Sequence, residues 1–186
     1  MKEEIQKACK VLNDGGLILY PTDTIWGIGC DATNEEAVRR VYELKRRDDS
    51  KAMLVLLDDV GRLPSYVDMP DVAYDLLEAA DKPMTIVYPG AKNLARNLIA
   101  DDGTIGVRVT KEAFSRGMIA RFRRPVVSTS ANISGKPSPR CFAEIGEEVK
   151  NGVDYIVDFR REESGNPAPS SVIKLGRGGE IQIIRK

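Results

Sequence analysis

Two short polar stretches and one group of cations carry the residue types with which proteins handle oxyanions. Ser128, Ser130 and Asn132, spaced two apart, can all point hydroxyl or amide donors at an oxyanion, and Gly135 frees the backbone to turn after them. Thr22-Asp23-Thr24 presents two hydroxyls and a carboxylate. Trp26 follows with a flat apolar surface, and Gly27 and Gly29 let the backbone pass close to a ligand without a Cβ in the way. Lys45, Arg47 and Lys51 gather at the end of a helical pattern, where one element hands over to the next, and such edges are where α/β proteins bind ligands. Each group also has a plainer reading. Cations in a last helical turn complement the helix dipole and stay solvated, and a Ser/Asn cluster caps helices or makes turns. The residue patterns leave both readings open.

The chain contains no histidine, which removes the commonest general base and the commonest metal ligand. Ser-His-Asp and Cys-His catalysis are excluded, and a zinc site would have to draw on three scattered cysteines and carboxylates. What remains is positioning and charge stabilisation by Lys, Arg, Ser, Thr and backbone amides. Gly135-Lys136 lacks both the leading glycine and the following hydroxyl of a P-loop. Gly27-Ile28-Gly29 lacks the third glycine of a dinucleotide fingerprint. The serine-rich loop is no nucleophile elbow, because no base is at hand to activate a serine.

The elements that must position these residues follow from periodicity. Residues 17–20 form a buried strand entered after Gly15-Gly16 and closed by Pro21. Thr33 or Asn34 caps a helix with Glu35 and Glu36 in its first turn and Val38, Val41, Tyr42 and Leu44 as its apolar stripe. Ile5, Ala8, Cys9 and Leu12 mark an earlier helix, and further helices are expected from Pro70 through Ala80, over 111–122 and over 141–150. Strands are expected at 52–57, 84–88, 104–109, 125–128 and 153–158, with a closing hairpin of 170–175 and 180–184. In the strand at 104–109, Ile105, Val107 and Val109 take one face, which puts Arg108 on the opposite one. Alternating strands and helices argue an α/β fold with a mixed sheet.

The 186 residues make one domain, 1–186, with no internal repeat or linker. Lys plus Arg equals Asp plus Glu at 28 each, so no global field draws the protein to nucleic acid or membrane and any basic site must be local. The three cysteines, Cys9, Cys30 and Cys141, lie far apart, which fits buried thiols in a reducing compartment. No signal peptide or membrane-length apolar run is present, so a cytoplasmic protein is expected.

Four blocks in one order bear a specific resemblance. Residues 21–31 (Pro-Thr-Asp-Thr-Ile-Trp-Gly-Ile-Gly-Cys-Asp), the Lys45-x-Arg47-x-x-x-Lys51 group, Val107-Arg108-Val109, and residues 128–135 (Ser-Thr-Ser-Ala-Asn-Ile-Ser-Gly) resemble the signature blocks of the YrdC-like proteins. The resemblance spans most of the chain and is to the short form, without the extra C-terminal domain of long members. It implies a twisted mixed parallel/antiparallel sheet with flanking helices around a basic concave cavity. The activity implied is synthesis of L-threonylcarbamoyl-AMP from L-threonine, bicarbonate and ATP, with pyrophosphate released, for tRNA threonylcarbamoyladenosine modification.

By resemblance, Thr24, Arg108 and Ser128 hold threonine. Lys45, Arg47, Lys51, Ser130, Asn132 and Arg140 hold the nucleotide, with Lys51 and Arg47 carrying catalysis. Mg²⁺ is expected to arrive with ATP. Downstream threonylcarbamoyl transferase proteins are the implied partners, with weak RNA or tRNA binding and no membrane. Leu56 stands where long members carry histidine, and Asp48 where the family often has proline. The alternatives are an RNA-binding module or a diverged paralogue without synthase activity. The paralogue group lacks the lysine and the Ser-Ala-Asn block, both of which this chain has.

Overall fold

Alternation along Leu17, Ile18, Leu19 and Tyr20 sends two side chains to each face of a sheet, and all four are buried, in two separate apolar cores. A computed structural model describes residues 1–47, 53–164 and 169–186. Its helices are α1 (Lys2–Asn13), α2 (Glu35–Lys45), α3 (Val72–Ala79), α4 (Ala113–Phe122) and α5 (Glu147–Asn151). The strands are β1 (Ile18–Tyr20), β2 (Gly27–Gly29), β3 (Leu54–Leu57), β4 (Met84–Tyr88), β5 (Ile105–Val109), β6 (Val126–Ser130), β7 (Tyr155–Ile156), β8 (Ser171–Leu175) and β9 (Ile181–Arg185).

These strands form one mixed sheet in the order β7-β1-β2-β6-β3-β5-β4-β8-β9. The pairs β1·β7, β3·β5 and β4·β8 are parallel, and the other five are antiparallel. On one face, α1 and α4 pack Ala8, Cys9, Leu12, Phe114, Met118 and Ile119 against Ile18, Tyr20, Leu56 and Val126. The other face carries the larger core, in which α2 contributes Val38 and Val41 against Leu19, Ile28, Val55 and Val127.

Helix starts follow their caps. The Asn34 carboxamide accepts from the amides of Glu36 and Ala37, and Glu112 accepts from those of Phe114 and Ser115, so α4 begins two residues later than its apolar pattern indicates. The expected helix at 141–150 is broken: a 3-10 turn at Phe142–Glu144 is followed by extended backbone at Ile145 and Gly146, and only Glu147–Asn151 is α-helical. The strand expected at 153–158 shortens to Tyr155–Ile156, and β6 runs on to Ser130.

The largest departure is β2, expected as loop because glycine is depleted in strands. It lies between β1 and β6, where a Cβ on Gly29 would sit 2.6 Å from the Tyr20 ring and 2.9 Å from the Val127 carbonyl oxygen. Glycine is there because the neighbouring chain leaves no room for a side chain. Cys9 and Cys30 are buried free thiols, pushed up from the ordinary thiol value by burial, and Cys141 is partly exposed. Among the described residues no helix is long and apolar enough to cross a membrane.

Candidate active site

Register places the polar residues of several strands on one face of the sheet. Leu54 pairs with Ser128, Leu56 with Arg108, Gly27 with Ser130 and Val87 with Gly106, and directly opposed residues share a face. This is the face that α1 and α4 cover over Tyr20, Leu56 and Val126. The rest of it floors a cavity of about 440 Å³, lined by Gly27, Leu54, Gly106, Arg108, Ser128 and Ser130 among others. The cavity thus sits on a sheet face, beside the helical layer, and not only at the strand ends that the order of elements indicates.

One wall is the loop between β1 and β2. The Thr22 hydroxyl donates to the Ile25 carbonyl at 2.7 Å and accepts from the Thr24 amide at 3.1 Å, a local turn that holds the Thr24 side chain at the cavity. A Cβ on Gly27 would lie 3.4 Å from the Ser128 hydroxyl, so glycine there keeps that hydroxyl clear. Behind the same loop, Asp23 lies 3.0 Å from the Arg108 guanidinium. Burial pushes the Asp23 carboxyl up and the nearby guanidinium opposes it, while burial also draws Arg108 below its ordinary value.

Thr24, Arg108, Ser128, Ser130 and Arg47 therefore meet around one cavity. Lys51 lies outside the described residues. Asn132 does not line this cavity: its amide group donates to the carbonyls of Ile133 and Lys136. The spacing of two holds for Ser128 and Ser130 because β6 is extended through both. It ends where the chain turns and the Asn132 amide reaches back to the Ser130 carbonyl. Arg140 is exposed, pairs with Glu144, and borders a neighbouring cavity of about 420 Å³ on the far side of the Thr22–Trp26 wall.

Lys45 is also turned away. Arg46 adopts a left-handed conformation (φ 50°) that ends α2, so Lys45 and Arg47 leave in different directions. Arg47 reaches the cavity, and the Lys45 ammonium is buried and donates to the Ser130 and Asn132 carbonyls at 2.5 and 2.6 Å. Burial, with Arg47 nearby, pulls the Lys45 pKa down to about 8, and the two carbonyl acceptors act to keep it charged.

Residues not anticipated from sequence complete the lining. Thr85 of β4, Ser138, Ser170 and Arg185 of β9 all border the cavity, with Thr85 and Ser170 sharing a 2.9 Å hydrogen bond and Arg185 donating to the Ser170 carbonyl at 3.0 Å. Only the return of β8 beside β4, with Val172 opposite Arg185, brings the chain end to the site, and no local pattern signals it. Three arginines line the cavity, and no carboxylate does among its described lining residues. Such a set suits a small, multiply charged anion.

A family model of the Sua5/YciO/YrdC domain, described as telomere recombination, matches residues 10–186. The chain belongs to this family. Curated relatives in it include a threonylcarbamoyl-AMP synthase of Pseudoalteromonas translucida, 36% identical over 181 residues and 95% of both chains. Another is a putative threonylcarbamoyl-AMP synthase of Methanocaldococcus jannaschii, 33% identical over 94% of this chain and 81% of that protein. Among solved structures, P. abyssi Sua5 complexed with L-threonine superposes with a TM-score of 0.84 at 29% identity over 92% of this chain, which spans only 50% of that longer protein. E. coli YciO, at 24% identity and a TM-score of 0.84 over the whole chain and 90% of its own, shares the fold.

Proposed function

We propose that this protein is a threonylcarbamoyl-AMP synthase, a nucleotidyltransferase that condenses L-threonine, bicarbonate and ATP. The observation that carries the reading is the meeting of Thr24, Arg108 and Ser128 with Arg47 and Ser130 around one cavity of about 440 Å³. Family membership and the synthase names of curated relatives support it, as does the L-threonine complex of P. abyssi Sua5.

In this reading the threonine carboxylate faces the Arg108 guanidinium, while the Thr24 and Ser128 hydroxyls orient the rest of the amino acid. The threonine amine forms a bond to the bicarbonate carbon and water leaves. A carbamate oxygen then attacks the α-phosphorus of ATP, the bond from that phosphorus to the bridging oxygen breaks, and pyrophosphate departs with the electron pair. Neither step needs a protein nucleophile or a histidine. Both need several anions held together, which Arg47, Lys51, Arg185 and the Ser130 hydroxyl serve by neutralising and orienting phosphate oxygens.

Among the described residues no three metal-ligating side chains are grouped. We assign Mg²⁺ to the substrate, entering as the ion carried by ATP. The adenylate is an activated acyl donor, to be consumed by a threonylcarbamoyl transferase acting on tRNA.

The deciding experiment follows pyrophosphate release by the purified protein with ATP-Mg²⁺, omitting threonine and bicarbonate in turn. Release that requires both is expected. Equal release without threonine would reject the assignment.

A further inference from the structure

Lys45 has a place in the fold that none of the lining residues shares. Lys45 is 1% exposed, and its ammonium donates to the carbonyl oxygens of Ser130 and Asn132, the residues on either side of the turn that ends β6. Its own backbone carbonyl accepts from the Ser134 amide at 2.9 Å. The last residue of α2 thus grips the turn from two sides, with a charged side chain at one end and a main-chain group at the other. The Asn132 carboxamide closes the same turn through Ile133 and Lys136. Ser130, which reaches the cavity, is the first residue that this brace holds.

Charge-assisted hydrogen bonds to two carbonyls fix the peptide planes on which they sit, and a buried ammonium is stable only with such partners. Removing the ammonium would take the charged donor from both carbonyls, leave that of Ser130 with only the Asn132 amide, and loosen the turn. We infer that Lys45 is a positioning residue that sets Ser130 on the sheet face for the nucleotide and does not itself touch the triphosphate. This rests on the synthase reading for its substrate and on the contacts above for its geometry.

A double-mutant cycle tests it, using Lys45→Met, Ser130→Ala and the double variant, each read in ATP affinity by ligand-induced melting shift and in turnover. If Lys45 acts through Ser130, the single variants each weaken ATP binding by about tenfold, and the double variant is no weaker than Lys45→Met, because coupled residues are not additive. Multiplying losses in the double variant would make Lys45 an independent ligand contact and overturn the inference. Reading ATP affinity separates the two proposals: a parent that binds ATP without threonine-dependent release removes the synthase reading and leaves the cycle interpretable.

Should Lys45→Met not fold, reductive methylation of the parent supplies the second measurement, with Lys10 as the exposed control. Lys45 is expected to stay unmodified with and without ATP-Mg²⁺ while Lys10 reacts. Modification of Lys45 in the free protein that ATP suppresses would place the ammonium in the cavity and sink the proposal.

Discussion

The Arg108 guanidinium and the Asp23 carboxylate lie 3.0 Å apart with side-chain exposures of only 4% and 11%, so a strand residue and a loop residue are joined by a charge pair almost wholly out of water. The contact is Coulombic more than directional, since neither Arg108 Nε nor Asp23 Oδ1 has an aligned hydrogen-bond partner. Asp23 thereby ties the Thr22–Trp26 wall of the cavity to its floor. Breaking such a pair from one side leaves an uncompensated buried charge. Asp23→Ala should therefore lose roughly 3–5 kcal/mol of stability in urea unfolding, more than Asp23→Asn, which keeps the shape and a polar group. A loss within 0.5 kcal/mol for the alanine variant, the range of about 0.5 kcal/mol usual for surface changes, would mean that water reaches the pair.

How much of this was legible in the sequence depends on which interactions are local. The α2 cap, narrowed by sequence to Thr33 or Asn34 and made by Asn34, the burial of residues 17–20 and the alternation that puts Arg108 opposite Val107 are all set within a few residues. Ser128 and Ser130 share a face for the same reason. Non-local packing hid the rest. Gly27–Gly29 reads as loop until the closeness of Tyr20 and Val127 is known, and Lys45 reads as a surface cation until the β6 turn is folded against it. Arg185 reaches the cavity through a strand order that no window of sequence contains.

Acid stability should depend on Glu4, which anchors α1 to the segment after β7. Its carboxylate accepts from the Tyr155 hydroxyl at 2.5 Å and the Asp158 amide at 2.7 Å, with Lys7 at 3.2 Å. Burial alone would raise its pKa, but these bonds outweigh it and hold the group below the ordinary value of 4.5. A carboxyl depressed in the folded state adds stability above the unfolded pKa and loses it as pH falls through the lower folded value. Glu4→Gln should cost about 1–3 kcal/mol at neutral pH and flatten the fall in melting temperature below pH 4.5. An unchanged acid limb would assign that fall to other carboxylates.

Two glycines should separate steric from conformational need. Gly29→Ala puts a methyl against the fully buried Tyr20 ring and the Val127 backbone, where nothing can yield cheaply, and overpacking of this kind costs roughly 1–3 kcal/mol or more. Gly103→Ala meets nothing within 4 Å and bears only the strain of its positive φ of 74°, about 1–2 kcal/mol. Melting temperatures should therefore fall further for Gly29→Ala. The reverse order would show β2 more open than its pairing with β1 and β6 requires.

Arg185 distinguishes a nucleotide-binding cation from a strand-end residue. Its Nε donates to the Ser170 carbonyl at 3.0 Å, a partly exposed bond whose loss should change stability by only about 0.5–1.5 kcal/mol. Its charge also bears on Arg108 across the cavity, helping to draw that guanidinium below its ordinary value. Like charges lining one cavity favour a bound anion, since a phosphate or carboxylate between them relieves the repulsion. Arg185→Met keeps most of the apolar stem and removes the charge. If the triphosphate meets this side chain, the variant should weaken ATP binding by about tenfold or more, the equivalent of one lost charge-assisted hydrogen bond, while threonine binding without ATP changes little. Calorimetric titration of parent and variant with each ligand makes the comparison. A variant that binds ATP as the parent does would put the phosphates on the Arg47 side of the cavity, out of reach of β9.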